Sequence, residues 1–218
     1  MSSRLAELAR AQRADEDQTP VEEACELCAA PIPPGHKHLL DTDSRELMCA
    51  CRACALLFDR KAASEGRYKL IGDRRLALEG FELDDATWDA LRIPVDMAFF
   101  YRHSGAEQVM AYYPSPMGPT ESQLELAAWD TIEAANPVLA DMAADTEALL
   151  VNRTRDARDH WLVPLDECYS LVGLVRATWK GLGGGTEVWR EIDDFFARLR
   201  RQAKVAGPSP VPAAEEAR

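Results

Sequence analysis

Residues 25–54 read CELCAAPIPPGHKHLLDTDSRELMCACRAC and hold five of the six cysteines of the chain. Two CxxC pairs, Cys25–Cys28 and Cys51–Cys54, are separated by 22 residues. A CxxC turn brings both sulfur atoms toward one ion, and two pairs supply four thiolates to a tetrahedral site. Clustered cysteines in a chain of this size favour metal ligation over disulfides. The stretch therefore predicts a zinc-ribbon or rubredoxin-like knuckle module over residues 24–60.

Two metal ions, zinc and iron, can bind to four cysteine thiolates. Four thiolates most often hold zinc, and the same set holds a one-electron iron in rubredoxin-like proteins. Zn²⁺ is the expected ion and iron is the alternative. The predicted ligands are Cys25, Cys28, Cys51 and Cys54.

Other ligand sets stay open in this stretch. Cys49 lies two residues before Cys51, so either thiol could take the same position in the site. His36 or His38, from the segment between the two pairs, would give a Cys3His site. Cys51 is preferred over Cys49 because it has a CxxC partner, and the two histidines are interpreted as polar loop residues.

Charge argues against nucleic acid as a partner. The 218 residues include 25 Lys and Arg against 37 Asp and Glu, which gives a formal net charge of −12. Proteins that neutralise phosphates or anionic lipid need the opposite sign. The cysteine-rich stretch has no basic excess of its own, so it differs from a DNA or RNA finger.

Hydropathy predicts a cytoplasmic chain with no membrane insertion. The most apolar stretch, residues 91–101, is interrupted by Pro94 and Asp96 and is shorter than the roughly 20 residues that span a bilayer. The first residues alternate small, charged and leucine side chains and lack the apolar block of a secretory signal.

Composition divides the chain into four parts. Residues 1–23 end in the acidic stretch ADEDQTPVEE and predict a flexible arm. The metal module follows at 24–60, and an α+β body is predicted over 61–203. Residues 204–218 contain three prolines and show no periodicity, which predicts a disordered tail.

Alternating apolar residues predict hairpins in the body. Residues 67–78, RYKLIGDRRLAL, are predicted to form two short strands about a Gly72-Asp73 turn. Residues 93–114 give a stronger hairpin with Gly105 in its turn, and residues 148–164 give another.

Helices are predicted from their capping residues. Asp84 and Asp166 are predicted to cap helices, Thr120 with Gln123 matches a capping box, and a last helix begins near Thr186. Helices between antiparallel hairpins indicate an α+β fold, with the helices packed mainly on one side of the sheet and the metal module at its N-terminal edge. The predicted core residues of the last helix are Val188, Ile192, Phe195, Phe196 and Leu199.

Weaker candidate sites lie in the body. Cys168 and His160 show no recognised catalytic spacing, so Cys168 is interpreted as a buried helix cysteine. Residues 180–186, KGLGGGT, are interpreted as a helix stop, with an anion site as the alternative. Residues 112–119, YYPSPMGP, are interpreted as an ordered aromatic connection into a helix, with a partner-docking edge as the alternative. Catalytic and nucleotide-binding motifs such as GxSxG, HExxH and the Walker loop are absent, so we expect no enzyme activity.

Seven segments give the chain a family resemblance that covers about residues 24–200. The sequence resembles a family of bacterial proteins of unknown function, mainly actinobacterial, encoded beside the genes of high-affinity nickel-iron hydrogenases. The segments are CELCAAPIPPGHKHLLD, RELMCACRACALLFD, LRIPVDMAFF, YYPSPMGPTES, LLVNR, HWLVPLDECYSLVGLVR and EVWREIDDFF.

The resemblance implies an accessory role. A protein of this kind would help hydrogenase subunits assemble, or pass electrons during assembly or turnover, and its partner would be a hydrogenase subunit or a maturation factor. Rubredoxin-like accessory proteins occur in other hydrogenase gene clusters. Ala29 and Ala55 stand where rubredoxin has glycine after each pair, which disfavours iron.

Overall fold

A small antiparallel sheet follows the first cysteine pair. The computed structural model describes residues 23–123, 125–181 and 183–206. Strand β1 (Lys37–Asp41) lies at the centre of this sheet, between β2 (Leu47–Ala50) and β3 (Tyr68–Leu70). Helices α1 (Arg52–Phe58) and α2 (Lys61–Ser64) connect β2 to β3. The small sheet therefore includes residues beyond the predicted module boundary at residue 60.

A larger sheet forms the body. In the described residues it has seven strands in the order β10-β4-β9-β8-β5-β6-β7, with the β10–β4 pair parallel and the other pairs antiparallel. The predicted α+β class is confirmed. The strands are β4 (Leu76–Leu78), β5 (Met97–His103), β6 (Gln108–Ser115), β7 (Gly118–Ser122), β8 (Glu147–Asn152), β9 (Asp159–Pro164) and β10 (Lys204–Ala206).

Two of the predicted hairpins are confirmed, and the first is wrong. Strands β5 and β6 pair about the polar turn, and β8 pairs with β9. By contrast, β3 pairs with β1 in the small sheet, while β4 pairs with β9 and β10 in the large sheet. The Gly72-Asp73 segment therefore links two sheets instead of turning a hairpin. Short strands carry little register information, so long-range pairing decided their partners.

The predicted capping box is also wrong. Thr120 lies in β7, which pairs with β6 about a turn at Pro116 and Met117, so the aromatic stretch forms a hairpin in place of a loop leading into a helix. The next helix begins at Leu126, and its preceding residue Glu125 makes no side-chain cap. Residues 118–122 pair with β6 in the ladder, so this segment does not start a helix.

Helices cover both faces of the large sheet. The helical elements after α2 are α3 (Asp85–Ala90), α4 (Leu126–Ala135), α5 (Leu165–Thr178) and α6 (Gly185–Gln202), with 3₁₀ turns at Pro137–Asp141 and Thr154–Asp156. Helices α5 and α6 pack with Phe99 and Trp161 on one face, whereas α3 and α4 pack with Phe100 on the other.

The expectation of helices mainly on one side is therefore wrong. All six residues of β8 are buried, which requires cover on both faces of the strand. The prediction for the last helix is confirmed, because its five predicted apolar residues are buried. Asp84 caps α3 by accepting a hydrogen bond from the Thr87 N–H at 2.7 Å, also as predicted.

The small sheet packs against the body through apolar and charged contacts. Leu40 and Ile71 belong to the buried cluster that contains α5 and α6. Asp145 of the body, fully buried, lies 2.5 Å from the Lys69 Nζ and 2.8 Å from an Arg45 guanidinium nitrogen. The hydrogen bonds from Lys69 and Ser104 outweigh burial and hold the pKa of Asp145 well below its usual value.

The ends of the chain differ in part from their predictions. Residues 1–22 of the predicted arm and residues 207–218 of the predicted tail lie outside the described residues. Within the predicted tail, residues 204–206 form strand β10 at the edge of the large sheet. None of the described helices is long and apolar enough to cross a membrane.

Candidate metal centre

The first cysteine pair lies in a tight turn. The Ala29 N–H donates to the Cys25 carbonyl at 2.7 Å, and the Cys25 N–H donates to the Ala30 carbonyl at 2.8 Å. Ala29 has a φ of 59°, in the left-handed region that closes such a turn. The turn directs both sulfur atoms of the pair to one side, as a knuckle requires.

The second pair belongs to a helix start. Cys51 caps α1, and its Sγ accepts the Cys54 N–H at 3.4 Å in the first helical turn. A zinc-ribbon or rubredoxin-like site takes both pairs from knuckles, so the local geometry differs from that prediction. The hairpin of β1 and β2 lies between the two pairs in sequence and carries the chain from the knuckle to the helix.

The four predicted thiols come together. Their Sγ atoms all lie within 4.8 Å of one another, and the Cys28 and Cys51 sulfurs are 3.8 Å apart. A regular tetrahedron with metal–sulfur bonds of about 2.3 Å has sulfur–sulfur edges of about 3.8 Å. Cys25 and Cys54 are buried, Cys51 is half-buried and Cys28 is exposed. The donor set and its spacing fit a four-thiolate ion.

The two buried thiols differ in pKa because their neighbouring groups differ. Burial raises the pKa of Cys25, but N–H donors of Cys51, Leu27 and Cys28 outweigh it and hold this pKa below its usual value. Burial and hydrogen bonds with the adjacent sulfurs raise the pKa of Cys54. One thiol thus ionises readily and a second resists. A bound dication favours deprotonation of every ligating thiol, so the cluster suits a metal ion.

The alternative ligands occupy a different place. Cys49, His36 and His38 form a second group, whose donor atoms lie within 4.8 Å of one another. Cys49 and Cys51 therefore join different groups, although they are two residues apart. Burial and then the carboxylates of Glu26 and Glu23 raise the pKa of the Cys49 thiol.

Sequence reasoning missed the role of Asp166. It was predicted as a helix cap, but α5 makes no side-chain cap and Asp166 lies in its first turn. Its Oδ2 is 2.8 Å from the His38 Nδ1, across 128 positions of the chain. The signal in the sequence for this second group is the HxH motif together with Cys49, and it becomes meaningful only once the strand register places His38 opposite Cys49.

Two of the weaker candidates, Cys168 and His160, lie apart in the structure. Cys168 is buried as predicted, and burial raises the pKa of its thiol well above the usual value. Cys168 belongs to the cluster with α5 and α6, whereas His160 stacks on Phe81 at the opposite face of the sheet. Gly184, in the glycine run, precedes α6 with a φ of 79°, and it separates this helix from α5 as the helix-stop interpretation expects.

Comparison with known protein families adds one result. Residues 24–203 match the family described as "Family of unknown function (DUF5947)". The chain belongs to this family. Neither a curated protein nor a solved structure matches it. The DUF5947 match includes both cysteine pairs, the small sheet and every strand of the large sheet except β10, so the metal centre and most of the body lie within one family unit.

A groove of about 500 Å³ in this DUF5947 chain is lined by residues far in sequence from the two cysteine pairs. The β6–β7 hairpin contributes Tyr113 and Pro116, and the ends of α5 and α6 contribute Trp179 and Trp189. The aromatic stretch, for which a docking edge was the alternative interpretation, therefore lines a concave apolar surface. Val95, at its rim, is 38% exposed.

Proposed function

We propose that this chain is a non-enzymatic cytoplasmic accessory protein that binds one structural zinc ion and docks a protein partner. The observation that carries the proposal is the set of four thiol donors within 4.8 Å, contributed by a knuckle and a helix start. Metal binding at such sites contributes folding free energy directly. The ion would tie the knuckle to α1 and hold the hairpin between them. Its ligands would be Cys25, Cys28, Cys51 and Cys54.

The groove is the proposed docking surface. Its aromatic side chains, among them Tyr113, Trp179 and Trp189, are of the types that contribute most to protein interfaces. They lie on a hairpin and two helix ends, which form a stable frame for a partner segment.

The proposed partner is a nickel-iron hydrogenase subunit or a maturation factor. This part of the proposal rests on the sequence resemblance to proteins encoded beside hydrogenase genes. The acidic net charge of −12 favours a protein partner over nucleic acid.

The alternative proposal is a one-electron carrier with iron at the same cysteines. The observation that favours it is exposure near the site, because Cys28 is exposed and Leu56 and Leu57 of α1 are 55% and 53% exposed. An electron carrier needs its ion close to a surface that a redox partner can contact. The same tetrahedral thiolates bind zinc or iron.

Metal analysis distinguishes the two proposals. The full-length protein, purified under reducing conditions without added metal, is assayed for zinc and iron and its visible spectrum is recorded before and after reduction. We expect zinc, with about one ion in the four-thiolate site, and no colour. Iron with thiolate absorption that bleaches on reduction would replace the zinc proposal with the electron carrier.

A cysteine variant tests the ligand assignment. Cys54→Ser should lose the ion of the four-thiolate site and lower the unfolding temperature, because metal binding stabilises the folded module. Cys168→Ala is the matched control, since it also removes a buried thiol but should keep the metal. Unchanged metal content and stability in Cys54→Ser would contradict the assignment.

Affinity capture tests the partner. Tagged protein expressed in cells that make the hydrogenase should retain a hydrogenase subunit or maturation factor. Trp189→Ala, in the groove, should reduce this capture, whereas Leu57→Ala on α1 should not. Circular dichroism of both variants checks that they fold. Absence of any hydrogenase component from the wild-type capture would count against the partner.

A further inference from the structure

A second group of donor atoms lies outside the four-thiol site. His36, His38 and Cys49 each offer one nitrogen or sulfur atom, and these atoms lie within 4.8 Å of one another. None of the three residues belongs to the four-thiol group. Imidazole nitrogen and thiolate sulfur are the donors that zinc and other borderline transition metals prefer.

The strand register brings the three side chains together. His38 of β1 lies directly opposite Cys49 of β2, so their side chains project from the same face of the small sheet. His36 lies two residues before His38, just ahead of β1, and its donor atom reaches the same group. The two imidazole rings lie edge to face with their centroids 4.8 Å apart.

The other ring nitrogens already have partners. The His38 Nδ1 lies 2.8 Å from the Asp166 Oδ2, and the His36 Nδ1 lies 3.2 Å from the Pro33 carbonyl oxygen and 3.3 Å from the Glu23 Oε2. Each of these acceptors requires a hydrogen on Nδ1, which leaves the Nε2 lone pair free. Metal-ligating histidines characteristically donate their second N–H to a carboxylate or a carbonyl in this way.

One of these Nε2 atoms is buried and unpaired. The His36 side chain is 8% exposed, and its Nε2 has no hydrogen-bond partner among the described residues. A buried polar atom without a partner costs free energy, and a metal ion would supply the missing contact. The imidazole that carries this nitrogen belongs to the same three-residue group as Cys49.

The surroundings are negatively charged. Asp166 contacts His38, Glu23 contacts His36, and the Glu26 carboxylate accepts the Cys49 N–H. Carboxylates around imidazole and thiol donors favour a cation at their centre. Lys37, the basic residue between the two histidines, is exposed, and Arg45 is paired with Asp145.

We propose that His36, His38 and Cys49 bind a second divalent transition-metal ion, distinct from the ion of the four cysteines. Its ligands are the two Nε2 atoms and the Cys49 thiolate, whose proton leaves to solvent on binding. Three protein ligands leave a fourth position for water or an exogenous ligand. The His38 side chain is 29% exposed, so solvent reaches the group. An open position is typical of sites that do chemistry or exchange ligands, whereas a closed four-thiolate site is structural.

Cobalt titration tests the second site. The reduced full-length protein is freed of metal, and Co²⁺ is added while its visible absorption is followed. We expect about two equivalents to bind, one with the spectrum of four thiolates and one with the distinct spectrum of mixed nitrogen and sulfur ligands. Cys49→Ala and His38→Ala should each bind about one equivalent and keep the four-thiolate spectrum. His103→Gln is the matched control for loss of a histidine and should bind both.

The outcomes separate this proposal from the structural zinc site. Cys54→Ser should lose the four-thiolate spectrum and keep the mixed one. In Cys49→Ala and His38→Ala, the four-thiolate spectrum that each variant retains is its own folding check. If the wild-type protein binds only one equivalent of Co²⁺ and Cys49→Ala binds the same amount, the second site is overturned and the four-thiolate site stands. Two equivalents retained in both Cys49→Ala and His38→Ala would also overturn it. A single equivalent lost in Cys49→Ala and Cys54→Ser alike would indicate one shared site and overturn it as well.

Discussion

Ala29 has a left-handed backbone at the end of the first cysteine pair, with a φ of 59°. A residue with a side chain loses about 1–2 kcal/mol of folding stability in this backbone conformation. Glycine avoids that loss, but its more flexible unfolded chain lowers stability by about 0.4–1 kcal/mol. We therefore expect Ala29→Gly to raise the free energy of unfolding by about 0.5 kcal/mol with metal content unchanged, measured by urea denaturation of the metal-loaded protein. Ala30→Gly, at a residue outside the left-handed region, should lower stability. A lower stability in Ala29→Gly would contradict the strain at this turn.

His160 is a buried, neutral histidine of the body. Burial, and then the positive charges of Arg153 and Arg158, lower its pKa to about 4. Between pH about 6.5 and 4 the unfolded chain binds a proton that the folded chain does not, so stability falls as the pH falls through this window. The loss is of the order of 3 kcal/mol.

A variant without this imidazole, His160→Gln, tests whether His160 is neutral in the folded protein. His160→Gln cannot titrate, so its free energy of unfolding should fall less than that of wild type between pH 7 and 4.5. Acid protonates the other titratable groups of both proteins alike. The difference between their urea unfolding curves therefore reports on His160 alone. Parallel pH profiles would contradict a neutral His160 in the folded state.

At the scale of elements, the start of α6 depends on one glycine. Gly184 has a φ of 79°, and a Cβ there would lie 2.9 Å from the Val188 Cγ1 and 3.1 Å from the Trp179 Cε3. Gly184→Ala should lower the free energy of unfolding by about 1–3 kcal/mol, because both the backbone and the packing oppose it.

Gly183→Ala is the matched control for this prediction. Its Cβ would have open space around it, so the free energy of unfolding should change little. Equal effects of the two substitutions in urea unfolding would show that the close approach at Gly184 has no energetic role.

The hairpin of β6 and β7 shows how pairing overrides a local signal. Thr120 and Gln123 match a capping box in sequence, but Thr120 lies opposite Tyr113 in the ladder. Its hydroxyl donates to the Ser115 hydroxyl at 2.9 Å, next to the turn of the hairpin. A capping motif describes one turn of chain, whereas the ladder satisfies several backbone groups at once.

At the scale of the whole molecule, Asp145 joins the two sheets. Its buried carboxylate pairs with Arg45 and Lys69 of the small-sheet region. Asp145→Asn leaves these cations without their counter-charge and should lower the free energy of unfolding by about 3 kcal/mol at pH 7. Asparagine also accepts the left-handed backbone at this position, where φ is 69°.

The pH dependence gives a second readout for Asp145. Its folded pKa is lowered, so its contribution is present above the unfolded pKa of about 4 and is lost as the pH falls toward the folded value. The difference between wild type and Asp145→Asn should stay constant from pH 7 to 5 and shrink below about pH 4. Asp130→Asn, on the exposed side of α4, should change stability little. A constant difference down to pH 3 would contradict the role of the charge.

The sequence by itself determined the features that depend on local spacing. The two CxxC pairs predicted which four thiols come together, because the short spacing within each pair limits where its sulfurs can point. Alternation predicted the β5–β6 and β8–β9 hairpins, and the apolar stripe of α6 predicted its buried face. Each of these signals is contained within about 30 residues of chain.

The tertiary structure alone decided which elements meet. Strands β3 and β4 belong to different sheets, because their pairing partners lie far away in sequence. Helices cover both faces of the large sheet, which depends on how elements distant in sequence pack together. The separation of Cys49 from Cys51 depends on strand register, since β2 ends at residue 50 and Cys51 starts a helix. Asp166 reached His38 across 128 positions. Local patterns specify a side chain's direction within its element, but only packing of the elements specifies its neighbours.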